Sequence, residues 1–129
     1  MNYNLENIKQ QKKVIIFESE KSPLLMESYY PGQSIGVSTN GSVFHEYQIE
    51  LLKSLGVEKV LILYDYETDQ KMIDKFEKNY KRSALHFETY VPNVEVMSRL
   101  INEKDSPIDK GKDIFEKILE SVVEYKIKI

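Results

Sequence analysis

Two short apolar runs rich in β-branched residues constrain this chain more than any other feature: Lys13-Val-Ile-Ile-Phe17 and Glu58-Lys-Val-Leu-Ile-Leu-Tyr64. Neither alternates apolar with polar positions, so neither can lie with one face in water; each reads as a strand covered on both faces, the situation of strands inside a parallel sheet. Each also breaks off into carboxylates, the first into Glu18-Ser-Glu20 and the third-strand run into Asp65-Tyr-Glu67-Thr-Asp69. Ser34–Ser38 and Ala84–Val91 read as two further strands, the latter ended by Pro92.

Helical patterns fill the intervals. Ser22-Pro23 suits an N-cap and first turn, with the helix running to about Tyr30 before Pro31-Gly32 stops it. Ser42 can cap a second helix whose Phe44, Tyr47, Leu51 and Leu55 recur on one side, up to Gly56 as the residue beyond its C-cap. Thr68 can cap a third helix through Arg82, with Met72 or Ile73, Phe76 and Tyr80 inward. Val94–Asn102 is a short helix or an irregular connection, and Ser106-Pro107 open a last helix with Ile114 or Phe115, Ile118 or Leu119, and Val122 inward. Strands alternating with helices imply right-handed crossovers, so the expected fold is α/β: a Rossmann-like parallel four-stranded sheet flanked by helices. A length of 129 residues with 41% hydrophobic content supports one core. Residues 1–12 read as an N-terminal extension and 13–129 as the domain.

The chemistry is bounded by what is missing. With no cysteine and only His45 and His86, a thiolate zinc site, a disulfide framework and a cysteine nucleophile are excluded, and any metal must sit on oxygen ligands. Both histidines read as surface or core residues. No apolar run is long enough to span a bilayer and no leader precedes the first strand, so a cytoplasmic protein without membrane contact is expected. A net charge of -3 gives the whole chain no field that attracts nucleic acid. Lys71, Lys75, Lys78 and Arg82 follow helical spacing and read as a solvated outer stripe away from the strand ends.

In open α/β sheets ligands bind beyond the carboxyl ends of the strands. That rule singles out Glu18, the Asn40-Gly41 turn, and Asp65, Glu67 and Asp69. Three carboxylates distant in sequence can converge there, and Asp65 and Glu67, two apart in an extended segment, point the same way. Magnesium and manganese take such oxygen ligands together with waters and phosphates. Each acid also has a plainer explanation: Glu18 as a surface acid, Asp65 as a turn residue, Asp69 as a first-turn acid favoured by the helix dipole. Ser106-Pro-Ile-Asp109 has capping-box spacing with Asp in place of Glu.

The strings Phe17-Glu-Ser-Glu-Lys-Ser22, Ser38-Thr-Asn-Gly41, Tyr64-Asp-Tyr-Glu67 and Lys104-Asp-Ser-Pro-Ile-Asp-Lys-Gly111 together resemble the Toprim region of phage-type and bacterial-type DNA primases, over roughly residues 13–120. That family places a glutamate after the first strand, matched by Glu18, a glycine turn after the second, matched by Gly41, and Asp-x-Asp after the third, where this chain has Asp65-Tyr66-Glu67. The resemblance implies magnesium or manganese held by Glu18, Asp65, Glu67 and Asp69, catalytic roles for Glu18, Asp65 and Glu67, and nucleotide-binding positions at Lys21, Asn40 and Gly41. Asp109 and Lys110 match similar phage-type sequences.

The implied reaction is RNA primer synthesis: a ribonucleotide 3′-hydroxyl attacks the α-phosphate of the next nucleotide while metal ions neutralise the developing charge. Glu67 in place of Asp lengthens one ligand by a methylene, which bears on metal preference and turnover. The zinc module and template-gripping basic domain of such primases have no counterpart in this sequence. The expectation is therefore a module that meets ribonucleotides directly, single-stranded DNA template through other domains, and a replicative helicase as a further partner. The alternatives are a Toprim nuclease or topoisomerase, a non-catalytic Toprim-like module that binds nucleotide or a replication partner, and an unrelated receiver-type α/β protein.

Overall fold

A computed structural model describes residues 4–68 and 70–125. In chain order the elements are helix α1 (Asn4–Gln11), strand β1 (Lys13–Phe17), α2 (Lys21–Tyr29), β2 (Gly36–Ser38), α3 (Glu46–Ser54), β3 (Lys59–Leu63), α4 (Gln70–Ser83), β4 (Glu88–Val91), α5 (Val94–Leu100), α6 (Lys112–Glu120) and β5 (Val123–Glu124). The sheet order is β2-β1-β3-β4-β5. The first four strands run parallel, and β5 is antiparallel to β4 through Tyr90 opposite Glu124 and Val91 opposite Val123.

The two apolar runs become the centre of this sheet, as their lack of alternation requires. β1 and β3 pair residue for residue from Lys13 opposite Lys59 to Phe17 opposite Leu63. Val14, Ile16, Phe17, Val60, Ile62 and Leu63 are all at most 1% exposed. Side chains in facing registers share a face, so Gly36, Ile15, Leu61 and Tyr90 form one row across four strands. The row can close over its neighbours only because position 36 has no side chain: a Cβ there would lie 2.9 Å from the Phe17 ring and 3.3 Å from the Met26 sulfur. Phe17 cannot easily yield, since its ring packs against Phe115 of α6 with centroids 6.2 Å apart.

Several sequence expectations need correction. Among the described residues the sheet has five strands rather than four, because the chain after α6 turns back along β4, and two residues of antiparallel pairing carry no pattern long enough to read. Within the segment read as an N-terminal extension, residues 4–11 form a helix seated on the sheet, with Ile8 fully buried and the Asn4 amide donating to the Gly36 carbonyl at 2.7 Å. Ser22 lies inside α2, not at its cap, where Glu20 stands. α3 begins at Glu46, with the His45 N–H donating to the Gln48 side chain at 3.1 Å. Its buried side is Gln48, Ile49 and Leu52, which turns Tyr47 out to 70% exposure. The last helix starts at Lys112 rather than Ser106, and β4 begins only at Glu88. Among the described residues no helix is long and apolar enough to cross a membrane.

Candidate functional site at the carboxyl edge of the sheet

The chain order around β1 decides where a crevice forms. From β1 the chain passes to β2 on one side, and the next crossover carries it over to β3 on the other. Connections leaving adjacent strands in opposite directions open a crevice at their carboxyl ends, the position where open α/β sheets bind ligands. Glu18 follows β1 immediately and Asp65 follows β3 by two residues, and because the strands end level the two residues meet there. The Asp65 N–H donates to Glu18 Oε1 at 3.2 Å.

The end of β2 is tied to the same place. Gly41 N–H donates to the Glu18 carbonyl at 3.0 Å, and Thr39 N–H to the Phe17 carbonyl at 2.9 Å. Ser38 Oγ donates to the Glu18 carbonyl at 3.3 Å and accepts from the Asn40 N–H at 2.9 Å. The turn runs through positive φ at Asn40 (57°) and Gly41 (145°). The second of these is a backbone state open in practice to glycine. Asn40 and Gly41 are both exposed, so the turn presents polar backbone to solvent beside Glu18.

Asp65 is the electrostatically unusual member. Its Oδ1 is buried and has no hydrogen-bond partner. Burial first, and then the nearby Glu18 carboxylate, push its carboxyl up from 3.8 to about 6; Lys75 opposes the rise, while Asp109 and Glu67 add to it. A carboxylate left without donors among other carboxylates is short of positive charge.

Part of that charge comes from α4. The Lys75 ammonium donates to Glu18 Oε1 at 2.9 Å and to the Asp65 carbonyl at 3.2 Å, with the two side chains 17% and 22% exposed. This corrects the reading of the lysine stripe: Lys71, Lys78 and Arg82 are exposed, but Lys75 reaches into the strand ends. The helix phase explains it. Met72, Phe76 and Asn79 form the buried side, and Lys75 lies one turn from both Met72 and Asn79, on the flank facing the crevice.

Glu67 is 6% exposed and takes a different partner. Lys104 pairs with its carboxylate and holds it below the usual glutamate range. The pairing is possible because residues 104–105 run beside 66: Tyr66 N–H donates to the Asp105 carbonyl and Lys104 N–H to the Tyr66 carbonyl, both at 2.8 Å. The polar segment Lys104–Gly111 is thus an ordered strap. Ser106 Oγ meets Ser22 Oγ at 3.0 Å, Tyr29 OH donates to the Ile108 carbonyl at 3.0 Å, and Ile108 is fully buried. Asp109 accepts from the Ser106 N–H at 2.9 Å, so the capping-box spacing closes a turn within the strap instead of starting a helix.

The crevice therefore brings Glu18, Asp65 and the Asn40-Gly41 turn together and leaves the other expected residues around it. Glu67 is nearby but engaged by Lys104. Lys21 is exposed at the first turn of α2, its N–H on Ser19 Oγ at 3.2 Å. Asp69 lies outside the described residues. Among the described residues no three Asp, Glu or His side chains form a group that could hold a metal ion. Sequence reasoning missed Lys75 and, behind it, Asn79, which is fully buried. Its Oδ1 accepts from Phe44 N–H at 2.8 Å and Tyr64 OH at 3.3 Å, and its Nδ2 donates to the carbonyls of Ser42 at 3.0 Å and Lys75 at 2.8 Å.

No known family model matches the chain. It is similar to the SPbeta prophage-derived uncharacterized protein YorJ of Bacillus subtilis (strain 168), at 34% identity over 131 aligned residues that cover 92% of this chain and 34% of that protein. The chain thus spans about a third of the length of the curated relative it matches.

Proposed function

We propose that the crevice between β1 and β3 is a divalent-cation and phosphate site of Toprim type, belonging to a DNA primase whose template-gripping parts lie outside this chain. The observation that carries this reading is the buried, unpartnered Asp65 Oδ1 beside Glu18. A hydrated magnesium or manganese ion fits such a donor set, because these ions need only one or two carboxylates when waters and substrate phosphates complete the shell. The prophage origin of the relative is in keeping with the phage-type resemblance.

In this reading Glu18 and Asp65 hold the cation, which when bound supplies charge neutralisation at the phosphoryl group under attack. Glu18 is also the group the resemblance makes a general acid or base. The turn at Asn40-Gly41 and Lys21 at the start of α2 offer donors to nucleotide phosphates. Glu67, held by Lys104, contributes negative charge at longer range. Calorimetric titration should show manganese binding to the parent chain, with Asp65→Asn weakening it at least tenfold, since one of two anionic ligands is lost. Unchanged affinity in that variant would move the site elsewhere.

The Lys75 and Lys104 pairings favour a second reading, a non-catalytic module that binds nucleotide or a replication partner, because they leave Glu18 and Glu67 already paired with cations of the chain itself. Under the primase reading too, the isolated chain should make no primers on a single-stranded template with manganese: a net charge of -3 offers the template little that would release counterions. Robust primer product would overturn the assignment of template grip to other parts. Rejoining the chain to a template-gripping segment distinguishes the two readings, since only the primase reading expects product then.

A further inference from the structure

We infer that Lys75 is a built-in competitor for the cation position, which polyphosphate draws away so that metal and nucleotide bind cooperatively; the inference rests on the reading of the crevice given above. Three observations carry it. The ammonium sits between the Glu18 carboxylate and the Asp65 carbonyl, at 2.9 and 3.2 Å. Its side chain is only 17% exposed, so it is packed into the strand ends rather than loosely paired on the surface. It also comes from mid-helix on a flexible four-carbon stem, whose root is held by Asn79 through the Lys75 carbonyl, so the head can leave while the helix stays in place.

A dication held by Glu18 and Asp65 would face an ammonium about one ion pair away, and the two positive charges exclude each other. Metal binding alone therefore has to break the Glu18–Lys75 pair. A polyphosphate beside the crevice gives the released ammonium a new partner, for which lysine is well suited as a mobile point charge. Each ligand thereby lowers the cost of binding the other. By linkage the effect must be reciprocal.

Lys75→Gln separates these contributions. Manganese binding measured by calorimetry should tighten roughly twofold to fivefold in this variant, the fold-change expected on losing a partly exposed ion-pair competitor. The additional tightening given by inorganic tripolyphosphate should shrink relative to the parent. Complexation of manganese by tripolyphosphate in solution is common to both chains and cancels in the comparison. Lys75→Arg keeps the charge and should keep the weak, coupled behaviour. If Asp65→Asn removes binding while Lys75→Gln leaves affinity unchanged or weaker, the competitor role is wrong and the site reading stands. If neither the parent nor Lys75→Gln binds manganese, both fall. Should Lys75→Gln fail to fold, the parent supplies the test: the Lys75 side-chain Cε resonance should shift on magnesium addition, and a stationary resonance at magnesium saturation overturns the inference.

Discussion

In metal-free buffer the Asp65→Asn chain should be more stable than its parent by about 1–2 kcal/mol at pH 7.5. The sign follows from the direction of the Asp65 shift. Its carboxyl in the folded chain is pushed up from 3.8 to about 6, so between those values the folded state holds a proton that the unfolded state has released. Stability of the parent therefore falls as pH rises from about 4 to about 6 and stays at the lower level above that, where Asp65 is ionised in both states. At full strength the rise corresponds to about 3 kcal/mol, and solvent on the open side of the crevice screens it to about half or less. Asparagine removes the titration. Urea denaturation of both chains at several pH values should show a gap that is absent near pH 3.5, opens between pH 4 and 6, and then stays constant. A gap independent of pH would assign the effect to packing and not to the Asp65 charge. An acid that costs its own fold stability at the carboxyl edge of a parallel sheet is the pattern expected of a functional group.

Asn79→Ala should cost about 2–5 kcal/mol, making it among the most damaging polar substitutions in the chain. Asn79 is fully buried, and its loss removes the side-chain acceptor of the Phe44 N–H and Tyr64 OH and the side-chain donor to the Ser42 and Lys75 carbonyls. Each buried group left unmade costs ~1–3 kcal/mol. Because these bonds join α4 to the segment leading from the Asn40-Gly41 turn and to the end of β3, the damage should extend beyond global stability. Amide hydrogen exchange should show residues 42–44 losing protection more than β1. Equal loss everywhere would mean that Asn79 stabilises the fold without organising this edge.

What the sequence made legible follows from which interactions are local. The burial of β1 and β3 on both faces is written in their unbroken apolar runs, and parallel pairing between strands of equal length then brings Glu18 and Asp65 to one edge with no further information. The β2 turn was visible for a similar reason, since Asn40-Gly41 declares its positive φ in its residue types. Lys75 was misread because the spacing of 71, 75, 78 and 82 describes a helix face and not what that face meets; the hydrogen bond of residue 75 to residue 18 spans 57 positions. Its signal was the phase of Met72, Phe76 and Asn79, which a buried asparagine disguises as a polar position. Ser106-Pro107 was read as a helix start because a cap signal is local, whereas the strap at 104–111 takes its order from distant contacts, Ser106 with Ser22 and Ile108 with Tyr29. Tyr47 was placed inward for want of the true helix start, which set Ile49 and Leu52 inward instead.

The claim that the β1–β3 crevice is the cation site is tested most directly by mapping backbone amide broadening with substoichiometric manganese. Broadening should centre on the amides of Ser19, Asn40, Gly41, Asp65 and Tyr66 and should vanish in Asp65→Asn, while Leu85 and Glu88, at the opposite edge of the sheet, stay sharp. Broadening centred on any other part of the chain, or an unchanged pattern in Asp65→Asn, would contradict the account.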